Sequence, residues 1–382
     1  MKVILAPDSF KGSLTAVEVA RAMKKGILDV DSDTIVESAP MADGGEGTTD
    51  NLIDVFNGKK QYLKVTGPMG EPVTAKYGII NDDICVVEVA ESSGITLIRR
   101  DQLNPLKATT YGFGELIKDA LDKGCRTFIV GLGGSATNDG GAGMAAALGY
   151  RLLDKDGMDI AYGGGALGKL YRITTDNVDQ RIFESDFMIA CDVKNPLCGE
   201  NGASFVFGPQ KGADEEAVRT LDDNLRHFAD VVRDCLGKDI LNATGAGAAG
   251  GLGGGTIAFL NGKLNNGLDI IAEISDLEGK MDGADLVFTG EGKCDSQTLG
   301  GKTPFGVARI AHRKNIPTII IAGTVGNGID PIFKLGVEGI YEIRKDGMTL
   351  EYAQDNASRL VAETSEKAYR TFLDKHYENA GA

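Results

Sequence analysis

Histidine is scarce in this chain: His227, His312 and His376 are all that 382 residues contain. Each sits in helix-like surroundings, which argues against a mechanism centred on imidazole. The six cysteines, Cys85, Cys125, Cys191, Cys198, Cys235 and Cys294, include no C-x-x-C pair. That spacing gives neither a zinc site nor a disulfide framework, and even the nearest pair, Cys191 and Cys198, reads as core packing and loop filling. No apolar run approaches the roughly 20 residues that a membrane helix needs. The N-terminus opens directly on Lys2-Val3-Ile4-Leu5 and lacks the layout of a signal peptide. The expectation is therefore a cytoplasmic protein with no membrane partner. Basic patches are also missing, and the net charge is −15, which argues against nucleic acid as a partner. An acidic enzyme acting on anions must concentrate its few cations at the site, so any lysine in a glycine-rich loop gains interest.

Glycine is abundant, at 53 residues, against a usual share of roughly 7%. The glycines cluster in loops that follow short apolar runs and precede helical patterns. That is the layout of α/β proteins whose ligands bind at the C-terminal ends of strands. The pattern predicts strands at 3–6, 34–38, 127–130, 188–191, 285–289, 317–322 and 338–343. It predicts helices at 14–28, 46–57, 110–123, 140–148, 213–236, 247–260, 303–313 and 350–376. Residues 60–98 carry β-type alternation, as in Tyr62-Leu63-Lys64-Val65. The two ends share a plain βα rhythm and the middle differs. This predicts one α/β domain built from both chain ends, residues 1–62 and 280–382, with a second α/β domain, 63–279, inserted. The length suits two domains of ordinary size.

Five strand ends carry the polar groups. The first is APDSFKGS, residues 6–13. Here Asp8, Ser9 and Lys11 leave a buried strand and meet a helix start, where backbone amides and the helix dipole favour an anion. Ser13 or Thr15 caps the helix. The second is PMADGGEGT, residues 40–48, in which Asp43 and Glu46 bracket a glycine pair. Either carboxylate suits Mg²⁺, a hard cation, and either also serves as a turn or helix-start residue. The third, GLGGSATNDGGAGM at 131–144, offers Gly133, Gly134, Ser135, Thr137, Asn138 and Asp139. The fourth, ACDVKNPLCG at 190–199, sets Asp192 directly after a strand, with Asn195 beyond. Such a pair can position a nucleophile and a metal in phosphoryl transfer, or form an Asx-turn. The fifth, TGEGKCDSQTLGGKTPFG at 289–306, supplies Glu291, Lys293, Asp295 and Lys302. Its Gly301-Lys302-Thr303 end imitates a P-loop tail, yet Ser296 stands where that motif needs glycine.

A further stretch, GAGAAGGLGGG at 245–255, fits G-x-G-x-x-G through Gly245, Gly247 and Gly250. The residues before it, Asp239–Thr244, make a poor strand, so the dinucleotide-fold context fails. Close helix packing and a loop over nucleotide phosphates are the two readings, and the second is preferred. Carboxylates, hydroxyls, amides and lysines at five strand ends suit phosphoryl transfer, where catalysis is mostly positioning and charge stabilisation.

These segments, with GPQKGA at 208–213, resemble the type I glycerate kinase family over essentially the whole chain. The resemblance implies ATP, Mg²⁺ and D-glycerate, with 2-phosphoglycerate as product. It also implies a flavodoxin-like domain made from both chain ends and an inserted α/β domain, with a homodimer among the assemblies it allows. The resemblance assigns no catalytic base, so the expected roles come from the residues themselves, in a cleft between the domains. Lys11 and Lys302 neutralise the transferring phosphoryl group or the substrate carboxylate, and Asp192 orients the reacting hydroxyl. Asp8, Ser9, Asp43, Glu46, Asn195, Glu291 and Asp295 contact substrate, with Asp43 and Glu291 also candidates for Mg²⁺. The loops at 131–139 and 245–255 cradle ATP. Two rivals stay open: a dinucleotide-dependent oxidoreductase, and a sugar-acid sensor that binds without turnover.

Overall fold

The structure, a computed structural model, describes residues 1–41, 48–345 and 347–378. In chain order the strands are β1 (Lys2–Pro7), β2 (Ile35–Ser38), β3 (Lys59–Thr66), β4 (Pro72–Ile80), β5 (Ile84–Glu88), β6 (Thr127–Gly131), β7 (Arg151–Leu153), β8 (Arg172–Thr174), β9 (Asp186–Ala190), β10 (Lys263–Asn265), β11 (Leu286–Cys294), β12 (Thr318–Val325) and β13 (Val337–Glu342). The α-helices are α1 (Ala16–Leu28), α2 (Thr48–Phe56), α3 (Ala90–Ser93), α4 (Tyr111–Asp122), α5 (Ala142–Ala147), α6 (Ala203–Phe207), α7 (Glu215–Leu236), α8 (Leu252–Leu260), α9 (Gly267–Ile274), α10 (Leu277–Lys280), α11 (Thr303–Arg313), α12 (Leu350–Asp355) and α13 (Ala357–Glu378).

The chain divides into two compact units, one of Met1–Asp43 with Leu268–Ala382, the other of Gly44–Gly267. The first passage therefore lies ahead of α2 and the second at 267/268, where the sequence suggests 62 and 280. Packing explains both. Helix α2 lies on β4, where a Cβ on Gly78 would come within 2.6 Å of the Ile53 side chain. Leu268 of α9 sits against α11, where a Cβ on Gly306 would meet it at 1.7 Å.

The first unit holds a parallel five-stranded sheet in the order β13-β12-β11-β1-β2. Its centre is apolar without alternation: Val3, Ile4, Leu5, Val287, Phe288, Ile320 and Ile321 are all fully buried. Strands covered on both faces read this way. Helix α1 starts on a capping box, in which the Thr15 side chain accepts from the Glu18 amide and Glu18 accepts from the Thr15 amide. Thr15 is thus the cap, and Ser13 instead donates to the Gln354 carbonyl at 2.9 Å. Val19, Met23 and Ile27, spaced by four, turn inward.

The order reverses at β1, which pairs with β11 on one side and β2 on the other. A crevice opens at such a switch point, outside the carboxyl ends of the strands. Asp8 follows β1 there, its amide bonded to the Gly290 carbonyl at 2.8 Å. The fifth polar segment does not begin as a loop. Strand β11 continues through Gly290–Cys294 because it stays paired with β12 as far as Cys294 opposite Val325, so Glu291 lies within a strand.

The second unit holds a mixed six-stranded sheet, β10-β9-β6-β5-β4-β3. Its β3-β4-β5 part is antiparallel, and β5, β6, β9 and β10 are parallel. Glu88, Gly131 and Ala190 stand in register at one edge. The segments after β5, β6 and β9 therefore leave the sheet side by side. Helix α4 covers one face with Phe113, Leu116, Ile117 and Ala120, all fully buried. Phe128 and Phe187 stack with centroids 4.6 Å apart. The short β7-β8 pair and β10 have no clear sequence signal, being three residues each. Helix α8 starts at Leu252 rather than 247, because Gly245, Ala249, Gly250 and Gly251 hold left-handed backbone. No described helix is long and apolar enough to cross a membrane.

Candidate functional site

In the first unit the sequence brings two buried carboxylates to the switch point. Asp8 is 5% exposed; its Oδ1 accepts from the Ser9 amide at 2.6 Å and its Oδ2 from the Thr303 hydroxyl at 2.7 Å. Thr303 is the first residue of α11, so the carboxylate lies at a helix N-terminus, where negative charge is favoured. Glu291 is 8% exposed and accepts from the Thr298 hydroxyl at 2.5 Å. Burial pushes its carboxyl above the ordinary range and the Asp8 charge adds to this, while the Thr298 hydrogen bond and Lys302 oppose it. A buried carboxyl raised in this way beside a second carboxylate is typical of functional sites.

Asp8, Ser9, Lys11, Glu291, Lys293, Lys302 and Arg344 line a pocket of about 620 Å³, together with apolar Phe10, Val325, Ile343 and Leu350. Lys302 occupies the position that caps α11. Asp295 does not line the pocket; Lys293 holds it at 2.8 Å and keeps its carboxyl low. Its amide donates to the Thr298 hydroxyl oxygen at 3.0 Å, so Asp295 shapes the turn that presents Thr298 to Glu291. Asp43 and Glu46 lie outside the described residues. Among the described residues no three His, Cys, Asp or Glu side chains gather as a metal cage. Mg²⁺ does not require one, since it keeps waters and is bound by one or two carboxylates plus substrate phosphates. Asp8 and Glu291, hard oxygen donors beside lysines, fit that manner of binding.

In the second unit the loop after β6 has an exposed lip, Gly133 and Gly134, and a buried floor, Ser135 to Asp139. Asp139 is fully buried and accepts four hydrogen bonds: from the Thr110 amide and hydroxyl, both at 2.9 Å, and from the amides of Gly141 at 3.1 Å and Gly143 at 3.3 Å. Burial raises its carboxyl above the usual range, and these donors pull it back. Asn138 donates to Ser204 at 3.0 Å. Lys211, 2% exposed, reaches the same floor and donates to the Ser135 hydroxyl oxygen at 2.9 Å and the Thr137 carbonyl at 2.6 Å.

The glycine run at 245–255 has packing partners throughout. A Cβ on Gly247 would strike the Pro196 carbonyl at 2.2 Å, and one on Gly250 the Thr137 carbonyl at 2.0 Å. Gly245 has φ +82° and backs onto Val193 and Leu264. No strand leads directly into the run, since residues 237–244 are irregular. These glycines let the chain press against the β6 loop, which removes the ground for a dinucleotide fold. Asp192 is exposed and accepts from the Asn266 amide group at 2.8 Å. Asn195 donates to the Asn201 carbonyl at 2.8 Å and so closes its own loop.

Sequence reading assigned no role to Lys211, Thr298, Thr303, Arg344 or Glu88. Lys211 lies in GPQKGA, a segment noticed only for its resemblance. Glu88 is a buried carboxylate at the end of β5, bonded to the Thr49 amide at 3.2 Å. Its apolar neighbours, Val87 and Val89, disguise it as part of a strand.

Comparison with known proteins follows the same lines. The profile of the glycerate kinase family matches residues 3–373. A glycerate kinase of Halalkalibacterium halodurans is 45% identical over 95% of this chain and 96% of its own length. A glycerate 2-kinase of Escherichia coli is 43% identical over 95% of this chain and 98% of its own. A solved structure described as a glycerate kinase 2 from Salmonella typhimurium LT2 superposes with a TM-score of 0.89. It is 43% identical and covers 99% of both chains.

Proposed function

The chain belongs to the glycerate kinase family, and from that premise we propose how its own residues serve the phosphorylation of D-glycerate. The enzyme is a phosphotransferase that moves a phosphoryl group from ATP to an alcohol of glycerate. The observation that carries the site assignment is the meeting of Asp8 and Glu291 with Lys11, Lys302 and Arg344 around one pocket at a switch point.

Counted within the first unit, the parallel strands run 2-1-3-4-5, the flavodoxin-like order. This supports reading the unit as a flavodoxin-like domain and the second as an inserted α/β domain. In the first unit, Lys11 and Lys302 meet the substrate carboxylate or the transferring phosphoryl group, and Ser9 and Asp8 orient the substrate. Glu291, with Asp8 and Asp43, supplies carboxylate oxygens for Mg²⁺. Held there, the ion would supply positive charge to offset that of the phosphates. In the second unit, Asp192 orients the reacting hydroxyl. It lies just past β9, beside the loop that follows β6, and that loop, through Gly133, Gly134 and Ser135, meets the nucleotide phosphates. The same reading places the enzyme in the cytoplasm and allows a homodimer.

The position phosphorylated is proposed to be C2. Phosphorylation there brings the phosphoryl group close to the substrate carboxylate. Two unit charges at ~4 Å repel by about 4 kcal/mol at an effective dielectric near 20. The cations around the pocket offset such a repulsion, and the relative named glycerate 2-kinase supports the choice. The test couples the enzyme, MgATP and D-glycerate to enolase without phosphoglycerate mutase. Phosphoenolpyruvate should form at once. Formation only after mutase is added would mean that the product is 3-phosphoglycerate.

A further inference from the structure

Lys211 is a buried lysine that none of the roles above uses. It ends the short turn Pro209–Lys211 and is 2% exposed. Its Nζ meets two oxygens, the Ser135 hydroxyl at 2.9 Å and the Thr137 carbonyl at 2.6 Å. No carboxylate among the described residues pairs with it. Asp139 is the titratable group whose charge reaches it, and that carboxylate is taken up by Thr110, Gly141 and Gly143. Burying a charge without a partner costs several kcal/mol, as a rule, unless something else requires it.

The chemistry of the two groups fixes a direction. An ammonium has three donors and no acceptor. While Lys211 is protonated, Ser135 Oγ must therefore accept from it, which leaves the serine O–H to donate elsewhere. Ser135 is 6% exposed and adjoins the exposed Gly133-Gly134 lip. The Thr137 hydroxyl on the same floor is fully buried and has no hydrogen-bond partner. A cation beneath the loop, a Ser135 hydroxyl whose proton is left to donate and an unpartnered Thr137 hydroxyl together describe a cradle for anionic oxygen.

We propose that Lys211 is a positioning residue for the nucleotide: it sets the Ser135 hydroxyl as an outward donor to an ATP phosphate oxygen and backs that contact with buried positive charge. This rests on reading the β6 loop as the nucleotide loop. Burial lowers the Lys211 pKa to about 7, with Asp139 opposing the shift. A deprotonated amine can accept from Ser135, and the hydroxyl then no longer points outward.

The experiment is a double-mutant cycle on the full chain with Lys211→Met and Ser135→Ala, reading KM for MgATP, KM for D-glycerate and kcat. Each single variant should raise KM for MgATP about 10-fold or more, with KM for glycerate within about 3-fold. The double variant should be no worse than Lys211→Met by more than about 2-fold, because the lysine acts through the serine. Multiplicative effects overturn the proposal while leaving the loop reading intact. A rise confined to KM for glycerate overturns the loop reading itself. Should Lys211→Met fail to fold, MgATP affinity of the unaltered enzyme from pH 6.5 to 8.5 decides. A progressive loss as Lys211 deprotonates supports the proposal, and a flat affinity overturns it.

Discussion

Asp139 gives the sharpest test of how the second unit holds its loop. The perturbation is Asp139→Ala. It strips the acceptor from four donors: the Thr110 amide, the Thr110 hydroxyl and the amides of Gly141 and Gly143. The site is fully buried, so bulk water cannot replace the carboxylate. Each orphaned buried donor costs roughly 1–3 kcal/mol. Water entering the vacated space restores part of this, so the expected loss is on the order of 3–5 kcal/mol. Asp139→Asn should cost about half as much. One amide oxygen can stand at the Oδ2 position, which serves Thr110 and Gly143, but the NH₂ then faces the Gly141 amide, donor against donor. The assay is urea unfolding followed by circular dichroism, with the second unit's transition fitted by itself.

The same variants carry a pH signature. Burial raises the Asp139 carboxyl pKa above its unfolded value, so the folded state binds the extra proton in the window between the two. Stability from that proton is fully present below the unfolded pKa and is lost as pH rises through the folded one. The alanine variant has no such group, so the gap between wild type and Asp139→Ala should widen as pH falls from neutrality toward 4. A cost under 1 kcal/mol at pH 7, or a gap that narrows on acidification, would refute the account of Asp139 as a buried clamp.

Lys11→Ala should lower kcat/KM by about 10²-fold or more while the unfolding midpoint stays put, since losing one electrostatic donor has that effect and the residue is exposed on a strand-end loop; near-normal kinetics would remove Lys11 from the site. Asp192→Asn keeps the shape but loses charge and basicity, so kcat should fall steeply with KM for ATP little changed, and an unchanged kcat would pass the role to another carboxylate. Gly250→Ala places a Cβ 2.0 Å from the Thr137 carbonyl in left-handed backbone and should yield little soluble protein. Gly133→Ala meets no atom within 4 Å, so it should fold normally yet raise KM for MgATP by crowding the phosphates that the loop meets; an unchanged KM in steady-state kinetics on the purified variant would take Gly133 out of that role.

Much of this molecule is written in local pattern, and the reason is visible in particular residues. Val3–Ala6 and Leu286–Phe288 are apolar at every position because both faces of the parallel sheet are covered, and the helices that cover it carry their own caps and fourfold spacing. Strand ends rich in Asp, Ser and Lys then mark a ligand edge in any α/β protein. Asp8, Ser9, Lys11, Glu291 and Lys302 could be picked out on that ground, and the structure gathers them around one pocket. What the pattern cannot carry is which glycine serves the chain and which serves a ligand. Gly133 and Gly250 look alike in sequence, yet one stands open and the other is pressed against Thr137. That distinction depends on a contact between segments more than 100 positions apart.

Lys211 illustrates the same limit from the side of charge. In sequence a lysine after Pro-Gln at the start of an acidic helix reads as a solvated surface group, the usual fate of that residue. Its burial is imposed by Ser135 and Thr137, which arrive from a strand end 76 and 74 positions away. No periodicity or composition rule can place a cation beneath a loop so distant. Yet that placement makes Ser135 an outward donor rather than an ordinary loop serine, because an ammonium cannot accept its proton. An acidic chain of net charge −15 has to attract ATP, itself an anion, against its own field. A cation sheltered from solvent acts at short range where salt screens least, so one buried lysine can do for the nucleotide what a scatter of surface lysines could not.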